Sequence, residues 1–127
     1  MEKYFVNYNQ SLALKELGFD MPCLASWNFY TNEFNYNSYP STFSSDDVIQ
    51  LPLKSQVFEW ARKEYRIISV IDFYCDNDEW EDTMYEVRIS EFKHFKTHDS
   101  FVQSEYKSYE EAESKAIDKL IEIIKKK

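Results

Sequence analysis

The segment that decides the fold is residues 108–127, SYEEAESKAIDKLIEIIKKK. Ser108, followed three residues later by Glu111, is the signature of a capping box at a helix N-terminus. The final lysines lie where the helix dipole favours cations. Behind the cap runs a broad apolar stripe at helical spacing, formed by Ala112, Ala116, Ile117, Leu120, Ile121, Ile123 and Ile124. The pattern predicts a last helix that buries one face against a sheet.

The residues upstream predict that sheet. Segments 66–75 and 83–92 show period-two alternation, which is typical of an antiparallel hairpin, with residues 76–82 as its polar tip. Residues 101–106 predict a short third strand. A preceding helix is predicted over residues 52–65, because Pro52 fits a first turn and Val57, Trp60 and Ala61 share one stripe.

The first part of the chain predicts a helix and a less regular region. Residues 9–17 have helical spacing and are followed by Gly18, the only glycine, with Leu14 and Phe19 placed as the apolar pair of a Schellman ending. A strand is predicted over residues 23–30, with a short partner over 33–36. Residues 37–47, rich in Ser, Asn and aromatics, predict an irregular loop.

These elements predict the α+β class: a small antiparallel sheet of three to five strands with three helices packed on one face. A length of 127 residues predicts a single domain, 1–127. From the second helix onward the order is α-β-β-β-α, which double-stranded-RNA-binding domains also have. Order alone does not assign a function.

Charge and composition restrict the class of partner. Fifteen Lys and Arg against 23 Asp and Glu give a formal net charge of -8, which repels phosphates and anionic headgroups over most of the surface. A local basic face and a nucleic-acid mimic remain open. The sequence has no long apolar run, which predicts a cytoplasmic protein with no membrane association, and two distant cysteines are expected to be reduced.

Three blocks carry a resemblance to known proteins. They are residues 9–23 (NQSLALKELGFDMPC), 52–60 (PLKSQVFEW) and 108–113 (SYEEAE). In this order they resemble short proteins of Bacteroidetes bacteria and of their phages and prophages, a group with no established activity. The resemblance implies a bacterial or phage setting and one fold-level unit, and it implies no cofactor or catalytic residue.

Motifs for metals and cofactors are incomplete. His94 and His98, near Asp99, have a metal-ligand spacing but lie between predicted strands beside lysines, which favours a solvated loop. The acidic residues of segment 76–82 lack the glycine and the distal glutamate of a calcium loop. Cys23 and Cys75 fall at inward positions of strands and are expected to be buried, inert thiols. A chain with one glycine has no phosphate-binding glycine loop, and we expect no cofactor.

The most informative stretch is residues 27–43, where aromatic residues alternate with Asn and Ser. No Lys or Arg occurs from residue 16 to residue 53. Rigid rings among small hydrogen-bonding side chains are typical of protein-binding surfaces. The candidate partner-binding residues are Tyr30, Phe34, Tyr36, Tyr39 and Phe43. One alternative is that Trp27 and Phe29 are core and the tyrosines merely cover a sheet edge; another is stacking on carbohydrate or single-stranded bases.

The leading hypothesis is a non-enzymatic accessory protein that binds another macromolecule, most simply a protein, through this segment or through its acidic surface, as an inhibitor or nucleic-acid mimic in one form. A nucleic-acid-binding module is the second hypothesis, with a local basic face of Arg62, Lys63, Arg66, Arg88, Lys93, Lys96 and Lys107. An enzyme is the third, although no set of residues meets the geometric requirements of an active site.

Overall fold

A computed structural model describes residues 2–42, 44–45, 47–75 and 83–127. Within them, three α-helices and six strands in antiparallel sheets confirm the α+β class. Along the chain the elements are α1 (Tyr8–Glu16), β1 (Cys23–Asn28), β2 (Glu33–Ser41), β3 (Val48–Leu51), α2 (Lys54–Tyr65), β4 (Ile67–Tyr74), β5 (Met84–Lys93), β6 (Lys96–Tyr106) and α3 (Tyr109–Lys125). The contacts divide the chain into two units, 1–60 and 61–127, each described by itself. A single-domain organisation stays a prediction.

Helix α1 has well-defined ends. Its N-cap is Asn7, whose Oδ1 accepts from the backbone N–H of Gln10 (2.8 Å) while its own N–H donates to Gln10 Oε1 (3.1 Å). This reciprocal capping box starts the helix one residue earlier than the sequence predicts. Gly18 has φ +90°, and the N–H of Phe19 donates to the carbonyl of Leu14 (3.0 Å). The Schellman ending predicted from the lone glycine is therefore confirmed.

The first unit contains a three-stranded sheet of order β2-β1-β3. Strand β2 extends to Ser41, so the loop predicted over 37–47 is wrong for its first five residues, and β3 was not predicted at all. Alternation is too weak to reveal either, because β2 is mostly exposed and β3 has four residues. A buried core of Phe5, Ala25, Ile49 and Leu51 supports the sheet, and Trp27 and Phe29 pack against it half-buried.

Helix α2 begins at Lys54, two residues later than predicted, because residues 52 and 53 pair with the segment before α1. The N–H of Val6 donates to the carbonyl of Pro52 (3.0 Å), and Phe5 forms a bridge with Leu53. Gln56 fixes the helix start, since its Oε1 accepts from the N–H of Leu53 (2.9 Å) and its Nε2 donates to the carbonyl of Pro22 (2.7 Å).

The second unit contains the sheet β4-β5-β6, a meander of sequential neighbours. The hairpin predicted from residues 66–75 and 83–92 is confirmed as β4 and β5, while its tip, 76–82, lies outside the described residues. Strand β6 begins at Lys96, five residues earlier than predicted. Its connection to β5 is a tight turn in which His94 (φ 53°) and Phe95 (φ 63°) both have positive φ, a geometry usually signalled by Asn-Gly.

Helix α3 packs on this sheet as its sequence predicts. Ser108 Oγ accepts from the N–H of Glu111 (3.1 Å), and the helix contacts all three strands. The sheet contributes the buried Ile67, Val87 and Ile89. The buried helix residues are Ala112, Ala116, Ile117, Leu120, Ile121 and Ile124.

Glu91 on β5 links the end of α3 to the sheet. Its carboxylate pairs with Lys127 and with Lys93 Nζ (3.5 Å) and accepts from Ser100 Oγ on β6 (3.0 Å). Its side chain is only 13% exposed. The hydrogen bond from Lys127, with smaller contributions from Ser100 and Lys93, outweighs burial and lowers the pKa of Glu91 below its ordinary value of 4.5.

Candidate protein-binding surface

Four of the five candidate residues form one stretch of the β1–β2 hairpin. Tyr30, Tyr36 and Tyr39 are 83%, 55% and 75% exposed, and Phe34 is half-buried. We call these four residues the aromatic surface. Phe43 lies outside the described residues. Three large rings of one hairpin are thus more than half exposed.

The rings at the centre of the aromatic surface pack against one another. Phe34 lies edge-on to Phe5 (5.3 Å between centroids) and to Tyr36 (5.0 Å), and Tyr36 also meets Phe5 (6.2 Å). Edge-to-face pairs at these distances are favourable beyond the area that they bury. Phe5 is part of the buried core. Tyr36 is thus exposed and yet packs against the core residue Phe5 and the half-buried Phe34.

A bulge displays Tyr39. Tyr36 pairs with Ala25 and Ser41 pairs with Cys23, so β2 has three more residues than β1 between the same two pairs. Asn37 fixes the bulge: its Nδ2 donates to the carbonyl of Cys23 (3.0 Å) and to Gln50 Oε1 on β3 (2.7 Å). A polar hollow of about 230 Å³ lies beside Tyr39, lined by Asn37, Ser38, Tyr39, Ser41 and Gln50.

The turn between β1 and β2 displays Tyr30. Asn28 Oδ1 accepts from the backbone N–H groups of Tyr30 (2.9 Å) and Thr31 (3.2 Å), and Asn32 completes the turn at φ 56°. Asn tolerates this left-handed conformation better than most residues. The preceding Phe29 points to the core and packs edge-on against Tyr8 (4.7 Å). The turn therefore buries one aromatic ring and exposes the next.

The backbone of β2 is also accessible for pairing. Among the described residues β2 pairs only with β1, so it is an edge of its sheet. An edge strand presents N–H and C=O groups that can pair with an additional strand. The sequence identified the aromatic residues of this region as candidates, but it did not predict the length of the strand that carries them.

The basic face of the second hypothesis is partly neutralised. Arg88 donates to Asp99 (2.7 Å) and pairs with Glu86 (3.3 Å), and Lys93 pairs with Glu91. Arg62, Lys63 and Arg66 are exposed near the end of α2. A phosphate-binding face needs cationic side chains that are free to neutralise phosphates. Arg88 and Lys93 serve this purpose poorly, because carboxylates already pair with them.

The histidines and cysteines do not form a metal or catalytic site among the described residues. His94 is in the β5–β6 turn and His98 pairs with Glu91 on β5. Within residues 2–42, 44–45, 47–75 and 83–127, no group of three or more His, Cys, Asp or Glu is placed to hold a metal ion. Cys23 is buried as predicted, and burial raises the pKa of its thiol to about 12. The prediction that Cys75 is buried is wrong, because Cys75 follows the end of β4 and is exposed.

Two further findings bear on the whole chain. Of the helices that the structure describes, none has the length and apolar character needed to cross a membrane. Comparison of the sequence with models of protein families and with curated proteins, and of the chain with solved structures, gave no match.

Proposed function

We propose that this protein is a non-enzymatic interaction module that binds an extended segment of another protein along the aromatic surface and the edge of β2. The observation that carries the proposal is that Tyr30, Tyr36 and Tyr39 are exposed on one hairpin. The positions of these tyrosines are fixed by Asn28, Asn37 and Phe34. Pre-positioned tyrosines give large contact area at a low entropy cost.

The geometry supports an extended partner. A strand added to the edge of β2 gains main-chain hydrogen bonds, and its alternate side chains reach the rings of Phe34 and Tyr36. The hollow beside Tyr39 has room for one polar side chain of the partner. Because residues 16–53 contain no Lys or Arg and β2 begins with Glu33, the charge favours a neutral or basic segment.

The setting belongs to the same proposal. The resemblance to proteins of Bacteroidetes and their phages points to a partner in a bacterial cytoplasm. The acidic composition, with a net charge of -8, favours a basic partner. A specific form of the proposal is therefore an inhibitor that occupies a basic surface of its partner.

Selection from a displayed library of random 12-residue peptides tests the proposal. The immobilised wild-type protein is used for selection, and enriched peptides are then titrated by fluorescence anisotropy against variants. We expect Tyr36→Ala combined with Tyr39→Ala to weaken binding at least tenfold, since contact tyrosines are frequent hot spots. Phe95→Ala is the matched control, because Phe95 is an aromatic residue of another hairpin and is 95% exposed.

The outcomes separate the hypotheses. Equal weakening by Phe95→Ala, or peptides that bind the double variant as well as the wild type, would contradict the proposed surface. Specific binding to duplex RNA or DNA at physiological salt that is weakened by Arg62→Glu, Lys63→Glu and Arg66→Glu would favour the nucleic-acid hypothesis instead.

A further inference from the structure

The first unit contains a cavity of about 380 Å³, and none of the four residues of the aromatic surface lines it. Its inner wall is apolar and buried, formed by Leu14 of α1, Cys23 of β1, Ile49 of β3 and Pro52. Side chains from one helix and two strands thus converge on it. Its size lies in the range of small-molecule sites, and it is more than twice the roughly 150 Å³ that accommodates benzene in an engineered apolar cavity.

One buried polar group that lines this cavity has no hydrogen-bond partner among the described residues. Ser11 of α1 is 3% exposed, and within the part of the chain that the structure describes its Oγ makes no hydrogen bond. A buried hydroxyl without a partner costs about 1–3 kcal/mol, so such groups are rare in native proteins and need an explanation. A ligand that hydrogen-bonds to Ser11 removes this cost.

The charges around the cavity indicate an uncharged ligand. The Cys23 thiol is protonated at neutral pH, because burial raises its pKa to about 12. The two charged lining residues, Lys15 and Asp20, are exposed and of opposite sign. A buried net charge on the ligand would have no counter-ion on the inner wall and would be strongly disfavoured.

We infer that this cavity binds a small, neutral, bicyclic or similarly sized apolar molecule that carries one hydrogen-bonding group directed at Ser11 Oγ. The apolar wall supplies most of the affinity by burial, and the hydroxyl, which both donates and accepts, selects for ligands with a polar atom. Phe19 and Met21 lie at the half-buried rim, where they cover part of the ligand. This activity does not depend on the proposed protein-binding function.

Three probes of similar size test the inference: indole, which donates one hydrogen bond, 1-indanone, which accepts one, and indane, which does neither. Each is titrated into the full chain labelled with ¹⁵N, and binding is followed through the backbone amides of Leu14, Cys23 and Ile49. We expect indole or 1-indanone to bind about two- to tenfold more tightly than indane, the range of one net hydrogen bond.

Ser11→Ala identifies the group responsible. We expect this variant to bind all three probes equally and to be at least as stable as the wild type, since alanine favours helix and the unpaired hydroxyl is removed. Ser55→Ala, an exposed serine of α2 outside the cavity, is expected to keep the wild-type preference. Amide shifts absent from the cavity with every probe, equal binding of the three probes by the wild type, a preference for indane, or a preference that persists in Ser11→Ala would overturn the inference. A water that satisfies Ser11 and is not displaced gives equal binding or a preference for indane.

Discussion

The two three-stranded sheets are built by different means. In β4-β5-β6 the strands follow one another along the chain, and the apolar residues of one face are buried under α3. Both sheets contain register shifts, in the β1–β2 pair and in the β5–β6 pair, but in β2-β1-β3 the amide side chains of Asn28 and Asn37 also fix the turn and the bulge. The β4-β5-β6 sheet depends on apolar packing, and the β2-β1-β3 sheet depends also on polar anchors. It is the β2-β1-β3 sheet that exposes tyrosines. Apolar packing under a helix covers one face of a sheet, whereas polar anchors fix the exposed β1–β2 hairpin.

The largest effect that this comparison predicts is in the second unit. Leu120 of α3 is 1% exposed, so Leu120→Ala leaves a cavity in the core. We expect the free energy of unfolding to fall by about 2–5 kcal/mol. Urea denaturation followed by circular dichroism measures it.

The matched control is the same substitution on the other unit's helix. Leu12 of α1 is 38% exposed, and Leu12→Ala is expected to cost less than about 1 kcal/mol. Equal costs for the two substitutions would show that α3 is not the buried element of its unit.

The same contrast explains which elements could be predicted from the sequence. Helix α3, the β4–β5 hairpin and the Schellman ending at Gly18 follow from apolar periodicity or from one residue with special backbone freedom. Strand β3 and the second half of β2 depend on hydrogen bonds between residues 13 or 14 positions apart, such as those of Asn37, which no local pattern encodes. The β5–β6 turn was missed because His94 and Phe95 replace the usual Asn-Gly.

The candidate site was predictable only in part. Composition alone identified Tyr30, Tyr36 and Tyr39, because rings without neighbouring cations are an unusual feature of the sequence. Which rings are exposed was not predictable, since Phe34 and Tyr36 lie two residues apart on the same strand and differ in burial through their contacts with Phe5. The Ser11 cavity has no sequence signal, because a serine within a helix is ordinary.

The second prediction concerns Asn37, which fixes the bulge of β2. Asn37→Ala removes both hydrogen bonds to Cys23 and Gln50 and leaves a carbonyl with one partner fewer. We expect a loss of about 1–3 kcal/mol in unfolding free energy. Asn35→Ala, at an exposed position of the same strand, is the control and is expected to change stability by less than about 0.5 kcal/mol. A cost for Asn37→Ala no larger than that of the control would contradict the anchoring role.

The third prediction separates display from packing on the aromatic surface. Tyr36→Ala loses ring contacts with Phe34 and Phe5 and is expected to cost less than about 1 kcal/mol. Tyr39→Ala is expected to cost less than Tyr36→Ala, because Tyr39 is 75% exposed. Thermal and urea unfolding of the two variants measure the difference. If either tyrosine proves essential for folding, the aromatic surface is core, and the proposed function loses its main support.

The smallest predicted effect is also in the second unit and depends on pH. Because Lys127 lowers the pKa of Glu91 below 4.5, ionised Glu91 stabilises the folded state above pH 4.5, and this contribution is lost as the pH falls through the lowered value. Glu91→Gln is therefore expected to cost roughly 0.5 kcal/mol at neutral pH and progressively less below pH 4.5, since both lysine partners are partly exposed and glutamine can still accept the hydrogen bond from Ser100. Urea denaturation between about pH 2.5 and pH 7 compares the variant with the wild type, and Glu33→Gln on the exposed start of β2 is the control. A difference between wild type and Glu91→Gln that stays constant with pH would mean that the charge of Glu91 is not what links α3 to the sheet. A difference that shrinks in acid for Glu91 and not for Glu33 would place this electrostatic link in the packed unit alone.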